Sequence, residues 1–160
     1  MGPDDAPQDF LLGDGAIEVK ATMSSSGFPI KIGSLEQLDD SIASPLYLAA
    51  VRFAAGEGGL TLSEMIAEVE RRLEGLVTMV DFFRVRLMAA SYTESHASQY
   101  SRRFESKDRR VFSVFEGFPR LTPGSTPIGV TRALCEINLD HAGEFTSDLG
   151  ESLKKLGVIR

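Results

Sequence analysis

The stretch Asp9-Phe-Leu-Leu-Gly-Asp-Gly-Ala-Ile-Glu-Val-Lys20 indicates how this chain begins its fold. Strand-forming residues flank Gly13-Asp14-Gly15, and Asp-Gly is a strong signal for a β-hairpin, because a type I′ turn requires positive φ at both central residues. We therefore predict two short strands, over residues 10–12 and 16–21. With Asp14 and Gly15 as the two turn residues, Asp9 lies opposite Lys20.

The predicted hairpin has one charged face and one apolar face. Side chains alternate along a strand, and residues that oppose each other across an antiparallel pair share a face. Asp9, Glu18 and Lys20 should therefore gather on one side. The same pattern places apolar side chains on the other side, namely Phe10, Leu12, Ile17 and Val19.

Two carboxylates and a lysine on one face suit metal-assisted hydrolysis of a phosphodiester. Asp9 and Glu18 would bind one divalent cation, for which Mg²⁺ is expected and Mn²⁺ is a substitute. Lys20 would orient the attacking water or offset developing charge on the phosphate. We therefore predict Asp9, Glu18 and Lys20 as catalytic residues. The alternative is an edge hairpin with ordinary surface ion pairs, each worth about 0–1 kcal/mol.

The overall composition fits one soluble domain. The chain has 160 residues, of which 42% are hydrophobic and 25% charged, and it has no apolar run long enough to span a membrane. The N-terminus lacks the features of a secretion signal, so a cytoplasmic location is expected. Residues 1–8 are predicted to be a disordered N-terminal segment and residues 9–160 a single domain. One cysteine and two histidines make no zinc cluster, so oxygen atoms must hold any metal.

The remaining pattern predicts an α/β (α+β) fold with a mixed sheet. Two capping-box spacings, at Ser34–Gln37 and Thr61–Glu64, predict helix starts, the second followed by an amphipathic stripe. A second helix over 77–90 should follow Gly75. Strands are predicted over 28–32, 46–53, which ends at the Gly56–Gly59 segment, and 131–139, with a second hairpin formed by 99–104 and 110–115 and a closing helix over 142–156.

The charge of the chain is unevenly distributed. A net charge of -6 repels a polyanion at long range. Residues 100–120, however, contain six basic residues against three acidic ones. Candidate DNA contacts there, and in the loop after the hairpin, are Arg102, Arg103, Lys107, Arg109, Arg110, Ser24 and Ser25. A solvated hairpin and a flexible polar loop are the simpler explanations of the same residues.

The arrangement Asp9, Glu18-Val-Lys20 on a hairpin resembles the PD-(D/E)XK nuclease superfamily. Further stretches, such as Ile32-Gly-Ser-Leu-Glu-Gln-Leu38 and Gly117-Phe-Pro-Arg-Leu121, are similar to a bacterial family of PD-(D/E)XK, restriction-endonuclease-like proteins. The resemblance implies a restriction-endonuclease-like mixed sheet flanked by helices, Mg²⁺-dependent DNA cleavage, and a setting in restriction-modification or phage defence. The superfamily core usually starts with a helix before the hairpin. That helix is missing here, so the chain resembles the C-terminal part of a longer architecture.

Three functions remain open from the sequence. The first is a Mg²⁺-dependent DNA endonuclease. The second is a non-catalytic DNA-binding or assembly subunit of a defence complex, which the acidic balance favours. The third is a nuclease that is active only as a homodimer. DNA is the expected partner in each, and no membrane partner is expected.

Overall fold

The structure is a computed structural model that describes residues 6–160. Residues 1–5 of the predicted N-terminal segment lie outside the described residues. Gln8, at the end of that segment, is buried, and its Nε2 donates a hydrogen bond to the carbonyl oxygen of Glu36 at 2.9 Å. The chain forms two compact units. One contains residues as far as Arg52 together with Lys107–Arg160, and the other is Phe53–Ser106.

Residues 6–160 form seven strands, three α-helices and short 3-10 helices. The strands are β1 (Phe10–Leu12), β2 (Gly15–Thr22), β3 (Pro29–Ile32), β4 (Leu46–Leu60), β5 (Phe104–Val114), β6 (Cys135–Asn138) and β7 (Thr146–Ser147). The α-helices are α1 (Leu62–Arg72), α2 (Val77–Ala89) and α3 (Leu149–Lys155). The 3-10 helices are Glu94–Gln99, Pro123–Ser125, Leu139–His141 and Gly143–Phe145.

Five strands form one mixed sheet in the order β1-β2-β4-β5-β7, and β3 pairs with β6 in a separate ribbon. β1 runs antiparallel to β2, β2 runs parallel to β4, and β5 runs antiparallel to β7. The predicted α+β class with a mixed sheet is confirmed, and this architecture is consistent with a restriction-endonuclease-like fold.

The first hairpin forms where it was predicted, but its turn lies one residue earlier. Leu12 pairs with Gly15, so Gly13 and Asp14 are the two turn residues. Gly13 has a φ of 62°, the sign that a type II′ turn requires at its first central residue. The predicted type I′ turn at Asp14-Gly15 is therefore wrong.

Contacts with residues that are distant in the sequence explain why Gly15 lies in β2 and not in the turn. A Cβ atom at Gly15 would overlap the carbonyl oxygen of Pro45 and the side chain of Leu156. Only glycine allows β2 to approach these groups so closely. The new pairing differs from the predicted one by two residues in its partner numbers, so each side chain keeps the face that was predicted for it.

A main hydrophobic core covers one face of the sheet of the first unit. β2, β4 and β5 contribute alternating residues to it, and β3 and β6 cover them. Its sheet and ribbon members include Ala16, Leu46, Leu48, Ala50, Phe112, Val114, Ile30, Ile32 and Ile137. A smaller cluster of Ile17, Tyr47 and Leu156 lies on the other face. Cys135 packs against the main core, and burial raises the pKa of its thiol.

The helix that the Thr61–Glu64 capping box predicts is confirmed as α1 of the second unit. Thr61 caps α1, with its Oγ1 accepting from the Glu64 amide at 3.2 Å and the Glu64 carboxylate accepting from the Thr61 amide at 2.8 Å. The predicted helix after Gly75 is α2, and Gly75 has a φ of 86° between the two helices.

Five other predictions were wrong in extent or type. No helix begins at Ser34, where Gln37 Oε1 instead accepts a hydrogen bond from the Gly33 amide at 2.8 Å. β4 continues through the glycines to Leu60, since Gly59 lies against the backbone of Phe104. The predicted second hairpin is the single strand β5. The predicted strand over 131–139 and helix over 142–156 shorten to β6 and α3, the latter capped by Asp148.

Candidate metal centre

The candidate centre lies on β2, next to the edge strand of the sheet. β2 pairs with β4 so that Glu18 lies beside Leu48 and Lys20 beside Ala50. Because side chains alternate along a strand, Glu18 and Lys20 share the face that carries the main core. The Glu18 carboxylate is therefore placed among apolar neighbours, and the residue is 1% exposed.

Lys20 is the cationic partner of Glu18. Its Nζ lies 2.6 Å from Glu18 Oε1, and its side chain remains 16% exposed. The second carboxylate oxygen, Oε2, is buried and has no hydrogen-bond partner among the described residues. Burial raises the pKa of Glu18, the Lys20 ammonium opposes that shift, and the negative charge of Asp9 reinforces it. The Lys20 ammonium therefore offsets only part of the cost of burying this carboxylate.

Asp9 is held against β2 by a backbone contact. Its Oδ2 accepts a hydrogen bond from the Val19 amide at 2.9 Å. Extending the observed pairing of Phe10 with Ile17 by one residue places Asp9 opposite Glu18. The predicted position of Asp9 opposite Lys20 is therefore wrong, and the observed register sets the two carboxylates across from each other. Asp14 lies exposed in the turn.

The donor set at this centre fits a hard divalent cation. In the part of the chain that the structure describes, no cluster of three or more His, Cys, Asp or Glu residues is arranged to hold a metal. A cation here would have the carboxylates of Asp9 and Glu18 and would complete its shell with water, which is how proteins commonly bind Mg²⁺. Such a cation would stabilise the buried Oε2 of Glu18, which has no hydrogen-bond partner among the described residues.

Arg103 and Arg110, which were predicted as DNA contacts, form ion pairs within the protein. Arg103 donates to the Gly59 carbonyl oxygen at 2.6 Å and to Glu64 at 2.7 Å. Arg110 donates to Asp108 at 3.1 Å and to Asp140 at 2.7 Å. Arg103 thus links β4 to α1, and Arg110 links β5 to the 3-10 helix Leu139–His141, so any role with DNA would come in addition to a structural one.

The other predicted contacts lie at several places in the fold. Arg102 is exposed, with its guanidinium carbon 5.2 Å from the centre of the Phe104 ring. Lys107 and Arg109 are exposed on β5, and alternation directs them away from the face that carries Arg110. The basic segment does not form a single cluster on one side of β5.

The serines after β2 form a small turn of their own. Ser24 Oγ donates to the carbonyl oxygen of Ser26 at 2.6 Å, and the Ser24 amide donates to Thr22 Oγ1 at 3.2 Å. Ser25 is exposed at the tip. The hydroxyl of Ser24 therefore helps to shape the loop that leaves β2.

Arg52 is a basic residue near the centre that sequence reasoning missed. It lies beside Thr22 at the end of the β2–β4 pairing, on the same face as Lys20. Its guanidinium carbon is 4.8 Å from the centre of the Phe28 ring, its Nη2 donates to the Gly27 carbonyl oxygen, and its Nε is buried without a hydrogen-bond partner among the described residues. The sequence feature that could have identified Arg52 is its position as a single arginine that alternates with the core-facing residues of β4.

Comparison with protein families agrees with this geometry. A family model described as "Putative PD-(D/E)XK family member" matches residues 1–140. The chain belongs to this PD-(D/E)XK family. The match includes the hairpin with Asp9, Glu18 and Lys20 and ends before α3. The family predicted from the sequence is thus confirmed, and it indicates a nuclease, a class that generally uses divalent metals and acts on DNA.

No curated protein and no solved structure matches this PD-(D/E)XK protein. Within residues 6–160, none of the helices combines the length and the apolar character needed to cross a bilayer.

Proposed function

We propose that this PD-(D/E)XK protein is a Mg²⁺-dependent DNA endonuclease with Asp9, Glu18 and Lys20 as its catalytic residues. The observation that carries the proposal is the buried carboxylate of Glu18, which has an unpartnered oxygen, an opposed carboxylate at Asp9 and an ammonium group at 2.6 Å. Burying a charge that is only partly compensated costs free energy. A bound cation would offset that cost.

The three side chains divide the chemistry between them. Asp9 and Glu18 would hold the cation, and Asp9 is already oriented by the Val19 amide. The bound cation would polarise the scissile phosphate and lower the pKa of a bound water. Lys20 is partly exposed, so its Nζ can donate a hydrogen bond to that water or to a phosphate oxygen while the stem stays packed on the sheet.

Residues that could contact DNA near the centre lie on this sheet face and in the loop that follows β2. Arg52 follows Lys20 along that face, and Ser24 and Ser25 lie in the loop after β2. Arg102, Arg103, Lys107, Arg109 and Arg110 are further candidates for phosphate contacts. A cytoplasmic role in restriction-modification or phage defence, alone or with partner subunits, completes the proposal.

A non-catalytic DNA-binding or assembly subunit is the second candidate. It is favoured by the net charge of -6 and by the internal ion pairs of Arg103 and Arg110. Both features reduce the positive charge that is available for DNA.

Plasmid nicking distinguishes the two candidates. Supercoiled DNA is incubated with the chain in Mg²⁺, in Mn²⁺ or in a chelator, and variants Asp9→Asn and Lys20→Ala are compared with the matched substitutions Asp14→Asn and Lys31→Ala at exposed positions. We expect the first pair to lose about 100-fold or more of the activity and the second pair to retain it. Metal-independent cleavage, or equal cleavage by all variants, would contradict the catalytic assignment.

A further inference from the structure

Gln8, the residue before Asp9, has a buried amide oxygen that no group of the fold satisfies. Within residues 6–160, the buried side-chain oxygens without a hydrogen-bond partner belong to Gln8 and Glu18, and both residues are 1% exposed. Burying such an atom without a partner lowers the stability of a fold. A bound ion or water is a group that can satisfy it.

The one hydrogen bond of the Gln8 side chain fixes the orientation of its amide. Nε2 donates to the carbonyl oxygen of Glu36 at 2.9 Å. Because a carbonyl oxygen can only accept, the nitrogen of the amide must face Glu36 and Oε1 must point away from it. Rotating the amide by 180° would lose this bond and place two oxygens against each other. Gln8 Oε1 is thus held in position and available to a ligand.

Gln8 lies on the side of β2 that carries Glu18. Its partner Glu36 belongs to the segment 33–45, which contributes Leu38 to the main core. The main core covers the face of β2 to which Glu18 points, because side chains alternate along the strand. By reaching this segment, the Gln8 side chain extends over the same face.

The path of the chain into β1 lets Gln8 and Asp9 act on one cation. The backbone bends over residues 7–9, and β1 begins at Phe10. The alternation of a strand therefore does not direct these two side chains to opposite faces. Asp9 lies opposite Glu18 in the observed register, so the amide of Gln8 directly precedes the pair of carboxylates.

We propose that Gln8 Oε1 is a third protein ligand of the divalent cation, beside the carboxylates of Asp9 and Glu18. This assignment rests on the proposed function, since it requires a cation at that centre. Amide oxygens are hard ligands that suit Mg²⁺ and Mn²⁺. A neutral amide also adds a ligand without adding negative charge beside Glu18, whose burial Lys20 offsets only in part.

Gln37 provides a matched control for removing the Gln8 amide. It is a second buried glutamine, but its Oε1 accepts a hydrogen bond from the Gly33 amide at 2.8 Å. Gln8→Met and Gln37→Met each replace a glutamine by an apolar side chain of similar shape. In titrations of the full chain with Mn²⁺, Gln8→Met should bind at least about tenfold more weakly than the native chain, and Gln37→Met should bind like it. Electron paramagnetic resonance of the free ion measures both affinities.

Two glutamate variants decide the question if Gln8→Met does not fold. Gln8→Glu keeps a ligand oxygen and adds a charge next to the cation, whereas Gln37→Glu adds the same charge at a side chain that serves Gly33. Gln8→Glu should therefore bind Mn²⁺ at least about tenfold more tightly than Gln37→Glu. Equal affinities of these two variants would overturn the proposal.

Eu³⁺ bound in place of Mg²⁺ measures ligation by Gln8 directly. The decay of Eu³⁺ luminescence in H₂O and in D₂O gives the number of water molecules bound to the ion. If Gln8 Oε1 is a ligand, Gln8→Met should carry about one more bound water than the native chain, because water replaces a lost protein oxygen. Gln37→Met should show the native number.

These measurements distinguish a failure of the Gln8 assignment from a failure of the proposed function. If Asp9→Asn and Glu18→Gln lose Mn²⁺ binding while Gln8→Met keeps the native affinity and hydration, the Gln8 assignment alone is overturned. It is also overturned if Gln8→Met and Gln37→Met are weakened equally. A native chain that binds no Mn²⁺ would overturn both.

Discussion

Glu18 on β2 and Glu68 on α1 each lie beside cationic side chains, yet their pKa values shift in opposite directions. Glu68 accepts hydrogen bonds from Arg71 and Arg72 at 2.8–2.9 Å on the surface of α1, and these bonds lower its pKa to about 2. Glu18 has Lys20 at 2.6 Å, but burial outweighs that partner and its pKa is raised.

The contrast shows that the environment, rather than the presence of a partner, decides what a carboxylate does. On the helix surface, water solvates Glu68 and the arginines add a modest stabilisation. Inside the sheet face, Glu18 keeps one oxygen without a partner. Burying a carboxylate in this way lowers the stability of the fold. In the proposed function, a bound cation offsets that loss.

Removing Lys20 should give the largest effect. In Lys20→Met the buried carboxylate loses its only cation among the described residues, so we expect the free energy of unfolding at pH 7 to fall by about 3 kcal/mol. The loss should shrink as pH falls, because the pKa of Glu18 is raised and protonation removes the buried charge. Urea unfolding at pH 7 and pH 5 measures both effects, with Lys31→Met as the exposed control. A loss below about 0.5 kcal/mol at pH 7 would mean that the pair is not buried as described.

Neutralising Glu18 should change the free energy of unfolding in the opposite direction. Glu18→Gln removes the buried charge and leaves the partly exposed Lys20 in solvent, so stability at pH 7 should be unchanged or higher by up to about 1 kcal/mol. Because the folded pKa is raised above the ordinary value of 4.5, the native chain loses stability as pH rises from about 4.5 through the folded value. The variant should lack that fall. A variant that is less stable than the native chain at neutral pH would contradict this sign.

Changing Glu68 should have the smallest effect. Its lowered pKa means that its contribution to stability is complete above 4.5 and disappears as pH falls toward about 2. Glu68→Gln should therefore lower the melting temperature only slightly at pH 7 and not at all near pH 2. Thermal unfolding followed by circular dichroism measures this difference. A loss as large as that of Lys20→Met would remove the distinction between the two sites.

Local patterns predicted the elements that local chemistry specifies. The Asp-Gly signal located the first hairpin, and the Thr61–Glu64 capping box located α1. The exact register could not be predicted, because the contacts of Gly15 with Pro45 and Leu156 come from distant parts of the chain. The polar run in the middle of β5 was interpreted as a turn, although it is one strand with an exposed side.

The same limit applies to the candidate centre. The spacing of Glu18 and Lys20 on one strand put them on a shared face, which the structure retains. Asp9 lies opposite Glu18 only because of the observed register between β1 and β2. Arg52 lies on this face because β2 pairs with β4 in parallel. Neither relation can be derived from neighbouring residues alone, because both depend on how separate segments pair.

Binding of Mn²⁺ to the chain without DNA tests the central claim most directly. The free ion is counted by electron paramagnetic resonance in titrations of the native chain and of Asp9→Asn, Glu18→Gln and Asp14→Asn. We predict one site per chain in the native protein and in Asp14→Asn, with affinity reduced at least about tenfold by Asp9→Asn and by Glu18→Gln. Equal binding by all four proteins would contradict a cation site formed by Asp9 and Glu18.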